Sequence, residues 1–461
     1  MTGPLLALGF VALVIYLLIK KFNAISVLLF SGLAMLATSF GVGLDPAKIK
    51  LPTGLVAFDF AQYIIESLIE TNAGVGLVIM IISGFVAYMD KIGASDALVH
   101  LAMKPLSVFK KFPYVLCSLV LPLGQFLFIS IPSAAGLGLL LMATVFPVII
   151  SLGVSRLSAV AVISATTAFG IGPASAIALS AADVIKMDIT AFFFGYQIPM
   201  TLVLSTTVTI SYYFVNRHFD KKRKEEQLPD FEPATQKEPK AMAPSLYGLL
   251  PLLPLILLLL FSDFLNLFPM HIRVDTNIAM VVGLLAAVIF ELIRKRDVKA
   301  VFQSLEVFWN GMGDIFKSVV MLIVAADIFS KGLINLGFID GLVSLSQQIG
   351  LGGIGIGVVM TIMIFLASIL MGSGNAAFFA FGPLVPKIAE PLAIKSVSMI
   401  LPMSMAASMG RTVSPIAGVI VAISALAKVP PIEIVKRNLI PFVVALFVML
   451  LFNFFSGNSA C

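Results

Sequence analysis

The sequence predicts an all-α polytopic membrane protein built from two inverted-topology repeats, each with about five crossings and one re-entrant hairpin. Three observations predict it. The 461 residues are 59% hydrophobic and only 12% charged, with a mean hydropathy of +1.07, whereas soluble domains average about 45–50% apolar and about 25% charged. Apolar runs of the length a bilayer core requires, about 20 residues, follow one another along the chain. Motifs of the first half return in the second at nearly constant spacing. A soluble enzyme, a nucleic-acid binder and a disordered chain are thereby excluded.

The internal repeat is read from a colinear series of matches. IGASDALVHLA (92–102) matches LGFIDGLVSLS (336–346), pairing Asp96 with Asp340 at an offset of 244. The polar stripe Asp59, Gln62, Glu66, Glu70 returns at that offset as Gln303, Glu306, Asn310, Asp314. Pro147 pairs with Pro386, Pro173 with Pro415, Lys186 with Lys428, and Ile198–Pro199 with Ile440–Pro441. Residues 1–216 form the first repeat, with a hairpin at about 112–152, and 246–461 the second, with a hairpin at about 354–392. Between them, 217–245 is a charged cytoplasmic linker with prolines and no apolar periodicity.

The expected crossings of the first repeat are 5–19, 24–43, 73–90, 157–182 and 190–215. Those of the second are 246–262, 276–293, 316–330, 397–427 and 438–455. The first apolar run ends in Lys20–Lys21 rather than at a small-residue cleavage site, so it reads as a retained span. The two polar-striped segments before 73 and before 316 read as interfacial helices. With the linker in the cytoplasm both termini lie outside, and 22 of the 30 Lys and Arg residues fall inside against seven outside, as the positive-inside rule requires. The net charge of +6 reflects these loops and is not a nucleic-acid signal.

Chemistry is expected where helices are interrupted, because freed backbone groups and helix ends then face a cavity. The hairpin tips are SIPSAAG (130–136), with Ser133 and Gly136, and GSGN (372–375), with Ser373, Gly374 and Asn375. The broken crossings are SATTAFGIGPAS (164–175), with Thr166 and Thr167, and SMGRTVSP (408–415), with Arg411, Thr412 and Ser414. Gly and Pro open the helix, Ser, Thr and Asn supply short donors and acceptors, and the positive ends of the resumed helices favour an anion. Four such clusters at repeat-related places point to a binding site, since small residues that serve only helix packing need not pair this way.

Arg411 is the most informative residue. It lies near the middle of an apolar stretch, where an arginine costs about 2.5–3.5 kcal/mol on insertion scales. Its repeat mate is Phe169, so one half alone carries the charge. Two partners fit: hairpin carbonyls, or a substrate carboxylate, which the absence of a nearby Asp or Glu favours.

Other signals carry less. GLGGIG (350–355) satisfies a dinucleotide fingerprint, but no strand precedes it. Asp90, Glu291 and Asp327 sit near crossing ends and read as interfacial groups rather than proton carriers. A membrane-embedded enzyme would need facing nucleophile and base or metal ligands. The three histidines and two cysteines are too few and misplaced, so no enzyme, cofactor or bound metal is expected.

GFVAYMDKIGASDALV (84–99), AAGLGLLLMATVFPV (134–148), MGSGNAAFFAF (371–381) and GRTVSPIAGVIVAI (410–423) resemble the DcuC anaerobic C4-dicarboxylate carriers, and the resemblance covers nearly the whole chain. It implies a multi-pass carrier of the bacterial inner membrane for succinate and fumarate, with malate or aspartate as further substrates, running as exchange, efflux or uptake coupled to Na+ or H+. The wider ion transporter superfamily implies inverted repeats, elevator-type movement and a homodimer. Carried over, Ser133, Gly136, Ser373, Asn375, Thr412 and Ser414 become carboxylate-binding positions. A carrier for another organic anion and a sodium–proton antiporter are the competing readings; the antiporter needs a mid-membrane acidic residue, and no helix break contains one.

Overall fold

A computed structural model describes residues 2–41, 50–222, 243–262, 265, 267, 272, 274–348 and 352–455. Most of the 217–245 linker and the start of the Gly350–Gly355 run lie outside the described residues. All regular elements among those described are helices.

The first half runs α1 (Thr2–Ile19), α2 (Ala24–Gly41), α3 (Val56–Thr71), α4 (Leu77–Lys91), α5 (Ala94–Met103), α6 (Pro113–Ser130), α7 (Ala134–Thr144), α8 (Phe146–Ser151), α9 (Arg156–Ala165), α10 (Ala176–Val184), α11 (Ile189–Phe192) and α12 (Ile198–Lys222). The second runs α13 (Leu253–Leu260), α14 (Thr276–Lys295), α15 (Val298–Ser304), α16 (Glu306–Ile315), α17 (Met321–Asn335), α18 (Phe338–Gln348), α19 (Gly353–Met371), α20 (Gly374–Phe381), α21 (Val385–Ala389), α22 (Ser396–Thr412), α23 (Gly418–Ala427) and α24 (Pro431–Phe455). Seven helices among the described residues are long and apolar enough to cross a membrane. The crossings expected at 157–182 and 397–427 are each two shorter helices, α9 with α10 and α22 with α23, because both are interrupted where Gly and Pro stand.

Elements recur at the offset read from the motifs. A π-helical turn, Asn72–Gly76, joins α3 to α4, and another, Phe316–Val320, joins α16 to α17, 244 residues later. Gly93 (φ 77) and Gly337 (φ 74) share the left-handed conformation at that offset, and Lys186 (φ 55) and Lys428 (φ 54) do so at 242. Packing is exchanged between halves as well: α2 lies against α17 and α14 against α4, while α5 meets the segment before α13 and α18 meets α1.

The polar stripe before residue 73 forms a helix of its own, α3, set off from α4 by a kink at Gly74 (φ −107, ψ −121). Its carboxylates hold the preceding loop: Asp59 accepts from the Thr53 amide (2.8 Å) and Glu66 from the Leu51 amide (3.0 Å). Glu291 is wholly buried rather than interfacial, and it pairs with Arg294 (3.1 Å) and Lys295 (2.7 Å), the next turn of its own helix.

The broken crossings occupy the centre. In α22 every residue from Val397 to Gly410 is buried, and so is every residue of α9 after Arg156; helices apolar all round belong inside. Small side chains permit close approach there, and a Cβ on Gly410 would collide with the Phe365 carbonyl of α19. Outer helices present apolar side chains outward, among them Phe30, Leu202, Phe214, Ile293 and Phe447.

Candidate functional site

Both hairpin tips are built by the same local device from different residues. At the first, Pro132 forces Ile131 out of the helix (φ −122, ψ 73), and Ser133 caps α7 by accepting from the Gly136 amide (3.1 Å). At the second, Gly372 (φ 66) ends α19 in the left-handed conformation, which glycine adopts without steric cost. Ser373 then caps α20 by accepting from the Ala376 amide (3.2 Å). Ser133 and Gly136 therefore bond each other, and Asn375 sits partly exposed in the first turn of α20.

At the first broken crossing the Thr166 and Thr167 hydroxyls bond back to the carbonyls of Ile163 (2.7 Å) and Ser164 (3.2 Å), and both residues are fully buried. Gly170 (φ 55) and Gly172 (φ 97) turn the chain. Ser175 donates to the Gly170 carbonyl (2.7 Å) and caps α10, while the Gly172 amide donates to Gln197 Oε1 (3.1 Å). At the second, Thr412 Oγ1 donates to the Ser408 carbonyl (3.1 Å) and Ser414 Oγ to the Ile369 carbonyl at the end of α19 (2.6 Å).

These parts converge. Gly372 lies against Ile416, Gly374 against the Ala407 carbonyl, Gly170 against the Ser408 hydroxyl, and Gly172 against Ile129 beside the first tip. α20 packs on α10, and α7 on α23, so each hairpin touches the broken crossing of the other half. Arg411 joins the two breaks: its Nη2 donates to the Thr167 carbonyl (2.6 Å), a crossing carbonyl rather than the hairpin carbonyl considered above. Its Nε is buried without a hydrogen-bond partner, and among the described residues no carboxylate forms an ion pair with it. A carbonyl dipole does not neutralise a guanidinium in a low-dielectric interior, so the junction retains a strong preference for an anion.

Sequence reasoning missed Asn438. It is fully buried on α24; its Nδ2 donates to Ser164 Oγ (2.9 Å) and to the Thr412 carbonyl (2.8 Å), and its Oδ1 accepts from Tyr212 (2.7 Å). One side chain thus fixes both breaks to each other. Its only signal was an amide placed just after Lys436 and Arg437, at the start of an apolar run. Buried polar atoms without a hydrogen-bond partner also gather on these elements: both amide atoms of Gln125, Nε2 of Gln197, and the hydroxyls of Ser130, Ser368 and Ser408. Among the described residues no three His, Cys, Asp or Glu side chains gather at a metal-binding distance, so a coupling ion at this junction would rest on hydroxyl, amide and carbonyl oxygens.

The fold is shared with solved transporters. MtrF of Neisseria gonorrhoeae, described within a class of antimetabolite efflux pumps, superposes with a TM-score of 0.65 at 14% identity, covering 93% of this chain and 95% of that one. The YdaH transporter of Alcanivorax borkumensis superposes with a TM-score of 0.62 at 15% identity, covering 94% and 98%. The fold and the seven apolar helices among the described residues define a multi-pass membrane protein. The sequence profile described as "C4-dicarboxylate anaerobic carrier" matches residues 3–456. The protein called anaerobic C4-dicarboxylate transporter DcuC in Escherichia coli K12 is 35% identical over 94% of this chain and 92% of its own length. The protein called probable anaerobic C4-dicarboxylate transporter DcuC in Vibrio cholerae is 34% identical over 94% and 93%. The chain belongs to the DcuC family, and it is a multi-pass protein of the bacterial inner membrane.

Proposed function

We propose that this protein is a secondary active carrier of C4-dicarboxylates, succinate and fumarate first, with malate and aspartate as further substrates, working by exchange or by Na+- or H+-coupled movement. The observation that carries the reading is Arg411, a guanidinium at the junction of two helix breaks with a carbonyl for partner and no carboxylate. Its family relatives are named for C4-dicarboxylates. Ser373, Gly374, Asn375, Thr412 and Ser414 surround the anion from the second half, and Ser133, Gly136, Thr166 and Thr167 from the first. The recurring π turns, left-handed residues and exchanged helix packing support two inverted repeats, 1–216 and 246–461, around one site. The hairpins with the broken crossings form the unit that moves, as an elevator, past the first three helices of each half, in a homodimer. Carriage of another organic anion is the competing reading. A sodium–proton antiporter has less support, since Glu291 and Asp327 are each paired with lysine (2.7 and 2.8 Å). Counterflow in proteoliposomes with a panel of labelled acids tests the proposal: exchange of succinate against fumarate is expected, and exchange confined to monocarboxylates or amino-acid conjugates would overturn it.

A further inference from the structure

We infer that a cleft at the far end of the second-half polar stripe binds the headgroup of an anionic phospholipid. The cleft is an open groove of about 420 Å³ between the ends of α4 and α14 and the helices α15 and α16, and is lined by Lys91, Lys295, Gln303, Ser304, Glu306 and Asn310. None of these elements belongs to a hairpin or a broken crossing, so the site is separate from the substrate junction.

Charge and shape suit a singly charged phosphodiester. Lys91 has no carboxylate partner among the described residues. Arg294 and Lys295 share the single buried carboxylate of Glu291, leaving one positive charge over. Against these two charges stands Glu306, so the cleft is positive by one. The amides of Gln303 and Asn310 remain for the glycerol or ester oxygens, while Ser304 donates its hydroxyl to the Val301 carbonyl (2.6 Å) and can only accept.

The rim is apolar and faces outward: Ile293 on α14, Phe302 on α15 and Trp309 on α16 are 71%, 59% and 63% exposed. An indole beside basic side chains marks the membrane–water boundary, and basic pockets there take lipid phosphates. A free phosphate or a dicarboxylate has no use for that rim, whereas acyl chains do. The first repeat shows the contrast. Its equivalent stripe carries Asp59 and Glu66 where Gln303 and Asn310 stand, and those carboxylates bind the amides of Thr53 and Leu51. Only the second copy is open to an anion.

Trp309 is the single tryptophan of the chain, which makes it the reporter. The protein is placed in phosphatidylcholine vesicles containing a minor fraction of phosphatidylglycerol, with bromines on the chains of one lipid or the other, and Trp309 fluorescence is measured. Phosphatidylglycerol should quench with a preference of about fivefold over phosphatidylcholine, the contribution of one basic side chain near a lipid surface. Lys91→Gln should bring the preference close to parity at an unchanged melting temperature in detergent, and Lys91→Arg should keep it. Parity in the unaltered protein, an unchanged preference in Lys91→Gln, or no quenching by either lipid overturns the inference. So does loss of the preference to inorganic phosphate or succinate at an ionic strength matched with chloride, which would make this a site for free anions.

Discussion

Arg411 donates from Nη2 to the carbonyl of Thr167 at 2.6 Å, across 244 residues of sequence. The contact ties the two broken crossings together at their interrupted points, and it leaves a buried Nε and an unneutralised charge. A carrier that closes around an anion needs both a fixed frame and a deficit of negative charge, and this one contact supplies the frame while preserving the deficit.

Arg411→Lys should weaken succinate and fumarate binding by at least about tenfold, because an ammonium cannot hold a carboxylate through two parallel bonds. Arg411→Ala should abolish it. Phe169→Leu, at the buried repeat mate, should cost less than about 1.5 kcal/mol of stability and leave binding nearly intact. Succinate affinity in detergent, read beside thermal stability for each variant, decides; normal binding by Arg411→Ala would make the arginine structural.

Asn438→Ala removes three hydrogen bonds. At about 0.6 kcal/mol each inside a membrane, the loss is about 2 kcal/mol, enough to lower the melting temperature without unfolding the protein. Succinate affinity should fall too, since Ser164 and the Thr412 carbonyl lose their common tether. Tyr212→Phe deletes the third bond and keeps the other two, so its affinity should stay near that of the unaltered protein. Equal effects of the two variants on affinity would show that Asn438 acts through stability alone.

Asp220 and Arg437 form a buried ion pair (2.7 Å, side chains 6% and 3% exposed) that also gathers Ser155 (2.7 Å), Ser158 (2.9 Å) and Tyr114 (3.1 Å). Removing one partner strands a buried charge, so Asp220→Asn should destabilise by about 3–5 kcal/mol. Replacing both, as Asp220→Asn with Arg437→Gln, should recover at least half. Melting of the single and double variants checks this, and additive losses would refute it.

Ser330 on α17 donates to the Ala380 carbonyl on α20 (3.3 Å), a contact between the proposed scaffold and the proposed moving unit. Cysteines at 330 and 380, joined by a short bifunctional reagent in a background lacking Cys117 and Cys461, should stop counterflow, and cleaving the linker should restore it. Transport that persists with the crosslink complete would exclude relative movement of these elements.

Cysteines at Gln227 and Asn458, both outside the described residues, should label from opposite faces of the membrane. Labelling from one face would overturn the ten-crossing arrangement that the basic-residue asymmetry supports.

The sequence by itself determined the class and the places where helices break. Those features are local: a span needs only apolar length, Pro132 and Gly372 interrupt a helix through their own backbone limits, and Ser133, Ser175 and Ser373 cap the next helix within three residues. The repeat was legible because duplication preserves spacing, and the π turns recur at the offset the motifs had given. Glu291 could have been read better, since its arginine and lysine stand three and four residues ahead on one helix. Tertiary structure alone decided which polar groups meet. Arg437 reads as one more basic residue near a crossing end, yet it is buried on Asp220 from the other half. Asn438 reads as a stray amide, yet it bonds Ser164, 274 residues away. Such pairings depend on which helix faces pack together, and single-residue chemistry along one chain does not encode that; burial then makes the pairing obligatory, because a polar group in the apolar interior must find its partner there.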